Sequence, residues 1–266
     1  MNEPGLQVLL EQETLRRRVE SGVYPDWVRA HYESFRDGLL GERNDTSFPC
    51  HFGVETERRG LGLYTAVPST TDPDALLGLG EVLLEYIDTY REYSKYAPLT
   101  VFFRPPRESL SEAAYHERLW HVLQFLHVHD PEPWPADVPT DPDDERWEFS
   151  FGGVPTFPTS RAPFYDERAS RYCPVGLEVT FQPRDLFEGL TADTEAGQHA
   201  REVIQERIES YDGVPPHPDL GDWGVPGDRE WPQYLFAADA EQAPDEPPIR
   251  VTREHPKSAA LVETEP

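Results

Sequence analysis

Phe48-Pro49-Cys50-His51-Phe52-Gly53 sets one of the chain's two cysteines between aromatic rings, a proline and a glycine. A sulfur in that setting is either a small buried hydrophobe, as free cysteines commonly are, or a soft ligand for a metal. Pro49 fixes the backbone just before the thiol, and Gly53 permits a close approach just after it. Both readings of Cys50 stay open on these residues alone. The other cysteine, Cys173, reads as structural or inert, and two cysteines in 266 residues make no disulfide framework.

Several other chemistries are excluded by their missing residues. There is no Gly-x-x-x-x-Gly-Lys phosphate loop, and Gly60-x-Gly62 and Gly78-x-Gly80 lack the third glycine of a dinucleotide fingerprint. His116-Glu117 opens like a zinc-protease helix, but Trp120 stands where the second histidine belongs. No Cys-x-x-Cys pair and no Gly-x-Ser-x-Gly elbow occurs.

The elements that must position Cys50 follow from hydrophobic spacing. Leu6 to Val19 and Trp27 to Leu40 carry apolar residues at helical intervals. Val54 to Thr56 and Leu61 to Val67, flanking Arg58-Arg59-Gly60, read as a β-hairpin. Asp72-Pro73 opens a helix to about Tyr93, with Asp72 as N-cap. Leu99 to Arg104 is a short buried strand, and Ser109 to His127 a helix with Leu119, Leu123 and Leu126 along one face. Asp130 to Pro142 is too proline-rich for either element. Trp147 to Phe151 and Leu177 to Phe181 alternate as strands do, and Ala196 to Tyr211 is helical, with Gly213 as its left-handed cap. This mixture predicts a single α+β domain over residues 1–236, with helices packed on a mostly antiparallel sheet. Beyond Phe236, Asp, Glu, Pro and Ala dominate, which predicts a disordered acidic tail over residues 237–266.

The net charge of −26 is spread along the whole chain, and Lys95 and Lys257 are the only lysines. Dispersed carboxylates with almost no lysine fit a halophilic, saline cytoplasm, where salt screens self-repulsion. Lowering the salt is therefore expected to unfold the chain, and equal stability in dilute buffer and in molar salt contradicts the reading. No basic stripe offers itself to a phosphate backbone, so nucleic acid is not an expected partner. No run reaches the roughly 18 apolar residues of a membrane span. Met1 to Glu20 lacks the apolar core of a signal peptide, so a cytoplasmic protein is expected.

A series of unusual blocks remains. Trp120-His121-Val122-Leu123-Gln124-Phe125-Leu126-His127 leads into Asp130-Pro131-Glu132-Pro133-Trp134-Pro135. Phe149-Ser150-Phe151-Gly152-Gly153, Arg168-Ala169-Ser170-Arg171 and Phe181-Gln182-Pro183-Arg184-Asp185-Leu186-Phe187 follow. The last are Tyr211-Asp212-Gly213 with His217-Pro218-Asp219-Leu220-Gly221, and Glu230-Trp231-Pro232-Gln233-Tyr234. With Phe48-Pro49-Cys50 these blocks, in this order, resemble the YqcI/YcgG family of Phe-Pro-Cys motif proteins.

Some members of that family are haem-dependent oxygenases that hydroxylate guanidine nitrogens. The resemblance therefore implies a haem b cofactor and O2-dependent N-hydroxylation of an amine or guanidine on an arginine-like small molecule, with O2 and an unidentified electron donor as partners. On that reading Cys50 is the thiolate ligand of iron, with His127 as the alternative. Phe48, Phe52, Trp120 and Phe151 wall the porphyrin, and Arg168, Arg171 and Arg184 grip propionates or a substrate carboxylate. Asp130, Asp212 and Glu230 pair with a cationic guanidine, and His217 relays protons. Against each stands a plainer role, as core residue, salt bridge or turn cap. The alternative from another class is a haem- or ligand-binding protein without turnover.

Overall fold

The structure is a computed structural model that describes residues 6–94, 97–190 and 194–253. In chain order the elements are β1 (Leu10–Glu11), α1 (Gln12–Glu20), α2 (Asp26–Leu40), β2 (Glu42–Arg43), β3 (Thr46–Ser47), α3 (His51–Arg59), β4 (Leu63–Val67), α4 (Pro73–Tyr93), β5 (Leu99–Phe103) and α5 (Glu112–His129). Then come β6 (Ser150–Phe151), β7 (Val154–Arg161), β8 (Glu178–Pro183) and α6 (Glu195–Asp212), with short 3-10 turns between and after them.

One sheet runs β1-β4-β5-β8-β7-β6, and β2 with β3 forms a separate hairpin. Only β4 and β5 run parallel, joined by the α4 crossover; every other pair is antiparallel. The fold is α+β, as the sequence predicts.

Side chains alternate across the sheet and so divide its two faces. Leu63, Val67, Leu99, Val101, Phe103, Val179 and Phe181 pack with Leu76, Leu79, Leu83 and Tyr86 of α4 and Leu119 and Leu123 of α5. Tyr64, Ala66 and Phe102 face the opposite way, onto Leu15 of α1 and Val28, Tyr32 and Phe35 of α2. The caps match the composition: Asp72 accepts the N–H groups of Asp74 and Ala75 at 2.9 and 3.3 Å, and Ser111 accepts that of Ala114 at 3.3 Å.

The first helix begins only at Gln12, not near Leu6, because Leu10–Glu11 pair with β4 as β1, and three further expectations change. Val54 to Thr56 are not a strand but the middle of α3, so there is no hairpin around Arg58-Arg59-Gly60. Cys50 caps the helix, and Gly60, at φ 70°, ends it in the left-handed conformation that glycine adopts without penalty. Sequence reading also misses β7, whose Pro155 and Pro158 argue against a strand. From Thr156 onward, however, β7 pairs only with β8, and an open outer edge tolerates a missing N–H.

The third change concerns the acidic segment, which stays on the molecule to residue 253. Ile249 is buried in the core. Arg250 exchanges two hydrogen bonds with Gln124 of α5, at 2.8 and 3.1 Å. Ile249 and Val251 on the core, and hydrogen bonds through Gln124, His127 and Arg253, hold a stretch whose composition argues for disorder. Residues 254–266 of the expected tail lie outside the described residues. Among the described residues no helix is long and apolar enough to cross a membrane.

Candidate functional site

On the face of the sheet away from α4 and α5 lies a cavity of about 370 Å3, within the roughly 300–1,000 Å3 of small-molecule sites. Its floor is a register row of the sheet, Tyr64, Thr100, Thr180 and Thr159 side by side, with Phe157 and Gln182 in the next row. The floor is polar and internally bonded: the hydroxyls of Thr100 and Thr180 lie 3.3 Å apart, and the Gln182 amide donates to the Thr159 hydroxyl at 3.1 Å. The start of α3 forms one wall. Gly197, Ala200, Ile204 and Ile208 of α6 form another, completed by Phe187, Leu190, Leu220 and Trp223.

Cys50 sits at the head of α3 and lines this cavity. Its sulfur accepts the N–H of Gly53 at 3.4 Å, so it occupies the site where a helix terminus favours negative charge. Burial pushes the thiol above its ordinary value, while the Gly53 and Phe52 N–H groups and the Arg171 charge pull the other way. A metal cation would add to that pull and fix the thiolate. A Cβ on Gly53 would stand 3.7 Å from the sulfur. The glycine is therefore not forced by the backbone, and its bare Cα leaves open the space beside the thiol.

Arg171, on a 3-10 turn, also lines the cavity. It lies over the Phe236 ring and reaches two carbonyls at 3.4 Å, but makes no ion pair among the described residues. Burial lowers its pKa, helped by the nearby Arg168 and Arg161 charges and opposed by Tyr165 and Asp212. Such a guanidinium suits an incoming carboxylate. Asp212 does not line the cavity. It accepts the N–H and hydroxyl of Ser170 at 2.7 and 2.8 Å, and so holds the turn that carries Arg171.

Arg184 bridges two buried carboxylates at the cavity's edge, at 2.7 Å to Glu148 and 2.6 Å to Glu230. Burial works against the guanidinium, but the two carboxylates outweigh it. Two acids on one base leave a surplus. Burial pushes Glu148 up to about 8, with Arg184 opposing and Glu230 adding to the shift, and burial likewise raises Glu230. The folded pair thus retains a proton that an unfolded glutamate releases near its ordinary value. That stability is complete below the unfolded pKa and is lost as pH rises through the folded one. Unfolding free energy should fall between about pH 5 and about pH 8, by up to about 1.4 kcal/mol per unit. In Glu148→Gln the slope should flatten; an unchanged slope assigns the proton elsewhere.

The structure brings together Phe48, Cys50, Phe52, Arg171, Arg184 and Glu230. The other expected site residues do not line the cavity. His127 is on the opposite side of the sheet, where its Nε2 accepts the Thr252 N–H at 3.1 Å and its ring meets Trp134 edge-on, so it is no alternative ligand here. Trp120 packs in the core beside Trp231 and Tyr234 and walls nothing. Trp120→Ala should cost about 3–5 kcal/mol in unfolding free energy without moving the spectrum of any ligand in the cavity. A ligand-band shift in that variant would contradict this placement.

His217 donates from Nε2 to the Ala237 carbonyl at 3.1 Å and accepts the Asp219 N–H on Nδ1 at 3.1 Å. Burial lowers its pKa. With both ring nitrogens engaged in a neutral tautomer, it is a structural fastening and not a relay. Asp130 receives the N–H groups of Glu132 and Gly152 and orders a turn. Arg168 is spent on the Pro215 carbonyl at 3.0 Å. Sequence reading missed Glu148, the threonine row and Gln182. Strand register, invisible in one-dimensional spacing, puts the threonines and Gln182 in one place, and the Arg184 ion pair brings Glu148 to their edge.

The cavity thus offers one cysteine sulfur on a helix terminus, aromatic and aliphatic walls, and the guanidinium of Arg171, the kinds of group that a thiolate-bound cofactor with carboxylate arms would need. The sequence profile of the YqcI/YcgG family matches residues 35–250. Two Bacillus subtilis (strain 168) proteins called uncharacterized, YcgG and YqcI, are 36% and 34% identical over 221 residues, 82% of this chain and 86% of each of theirs. A Streptomyces lavendulae protein described as a candidate N(omega)-hydroxy-L-arginine synthase, DcsA, is 31% identical over 220 residues, 81% of this chain and 82% of its own. No solved structure matches.

Proposed function

We propose that this chain, which belongs to the YqcI/YcgG family, N-hydroxylates a guanidine or amine of an arginine-like small molecule in the cavity over Cys50, with haem b as cofactor. The observation that carries the reading is the Cys50 sulfur, set at the N-cap of α3 and lining an apolar-walled cavity. The likeness to DcsA, through the activity in its name, supports the substrate class. In the net reaction one atom of O2 enters the N–H bond and the other leaves as water, consuming two electrons from an external donor and two protons.

When bound, a thiolate-held haem supplies O2 activation, because the thiolate pushes electron density toward the iron and favours O–O cleavage. Cys50 holds that group, and the Gly53 N–H steadies its sulfur. Arg171 takes a carboxylate, from a propionate or from the substrate. Glu230, held on Arg184 with Glu148 behind it, offers carboxylate oxygens as hydrogen-bond acceptors to a guanidine N–H. Thr100, Thr159, Thr180 and Gln182 offer hydroxyl and amide groups for orientation, while Phe48, Phe52, Phe157 and Phe187 exclude water.

The test is turnover: purified chain reconstituted with haemin, a chemical or flavoprotein reductant, O2 and a panel of guanidines and amines, with products read by mass spectrometry. A hydroxylated product containing one 18O from labelled O2 supports the reading. Haem uptake without any oxidised product across the panel would leave the binding-protein alternative standing.

A further inference from the structure

We propose that His31, Cys173 and Glu178 form a buried binding site for a zinc-class divalent metal ion, separate from the cavity and its chemistry. His31 comes from α2, Cys173 from the loop ahead of β8, and Glu178 from the first position of β8. All three are at most 1% exposed. Their donor atoms, an imidazole nitrogen, a sulfur and a carboxylate oxygen, all lie within 4.8 Å of one another.

The imidazole contacts show why a cation belongs there. His31 Nε2 stands 2.9 Å from the Phe103 carbonyl, while Nδ1 stands 3.0 Å from Glu178 Oε1 and 3.8 Å from Cys173 Sγ. A backbone carbonyl only accepts, so the N–H belongs on Nε2. Nδ1, the Glu178 carboxylate oxygen and the Cys173 sulfur then converge on one small volume, three ligand-type atoms that meet one another there. A metal ion among the three converts this convergence of electron pairs into coordination. Zinc bonds of about 2.0–2.3 Å to nitrogen, oxygen and sulfur span donor separations of this size.

The surroundings support the same reading. A metal-bound histidine usually donates its other N–H to a carbonyl or carboxylate, which fixes tautomer and ring orientation. Here Phe103 supplies that carbonyl, and the ring is stacked on Phe102 at 5.3 Å with Trp27 edge-on at 6.2 Å. Arg161 donates to Glu178 Oε2 at 3.1 Å and leaves Oε1 for the ion. Arg161 also lines the cavity. An ion here would tie α2 to β8 and anchor that arginine, so its role is structural.

The test uses the full chain, washed with chelator and then given zinc or cobalt(II). The expected result is one ion retained per chain, and a sulfur-to-cobalt charge-transfer band that persists in Cys50→Ser and disappears in Cys173→Ser. Zinc affinity should fall at least tenfold in Glu178→Gln. Uptake by the unaltered chain is informative even if a variant misfolds. Failure to retain stoichiometric metal overturns the proposal. So does a cobalt band that depends on Cys50, or nitrogen NMR showing both His31 ring nitrogens protonated in metal-treated protein. None of these readouts depends on turnover, so the site can fail without touching the proposed oxygenase, and the reverse.

Discussion

Cys50→Ser should bind haem without a thiolate signature in the ferrous–CO spectrum and should lose at least about a thousandfold in N-hydroxylation, on the scale of losing an essential catalytic group. The substitution isolates the sulfur. Serine is a good N-cap and can accept the Gly53 N–H that the cysteine now receives at 3.4 Å, so α3 keeps its first turn. Unfolding free energy should therefore stay within about 0.5 kcal/mol of the parent. Cys50→Ala, which removes both sulfur and cap, should add a loss of about 1 kcal/mol. Full activity and an unaltered CO spectrum in the serine variant would move the ligand away from Cys50.

Arg184→Met should be the most destabilising single change at the cavity. It strips the guanidinium that Glu148 and Glu230, both almost fully buried, share. Removing one partner of a buried ionic cluster costs about 3–5 kcal/mol, because the remaining charge is stranded. The loss should shrink as the pH is lowered, since protonation neutralises the stranded carboxylates, whose folded pKa values burial already raises. Adding Glu148→Gln and Glu230→Gln to Arg184→Met should recover most of the stability near neutral pH, while substrate binding stays weak. Chemical denaturation across pH measures both effects. A pH-independent loss, or no recovery in the triple variant, would mean that Arg184 acts mainly by packing against Trp223 and Phe187.

How much of this was written in the sequence varied with the range of the interaction. Asp72-Pro73, Ser111 and Gly213 mark helix ends because caps are local chemistry, and the structure places them there. Val54 to Thr56 misread because a three-residue apolar stretch fits a strand or a helix equally well. What decided it was Cys50 acting as a cap, an unusual use of a thiol. Phe48, Cys50 and Phe52 were legible as neighbours because they are close in sequence, and the structure sets all three along the cavity.

His127 and Trp120 misled for a related reason. Their helix has apolar residues almost all round, so spacing could not say which of its sides faced a cavity and which faced the core. The pairing of Arg184 with Glu148 and Glu230 joins residues 36 and 46 positions apart, and periodicity carries no signal at that separation. The same holds for Thr100, Thr159 and Thr180, which become neighbours through strand register alone. Ile249 and Val251 show the limit of composition: two apolar residues in an acidic stretch, with a few hydrogen bonds to α5, keep that stretch on the core.

The most direct measurement is a haemin titration of the purified chain, followed by reduction and CO addition, with Cys50→Ser in parallel. Saturable uptake of one haem per chain, with a thiolate-type CO band that the serine variant lacks, is the predicted result. A chain that takes up no haem, or one whose CO band is the same with and without the sulfur, would contradict the account.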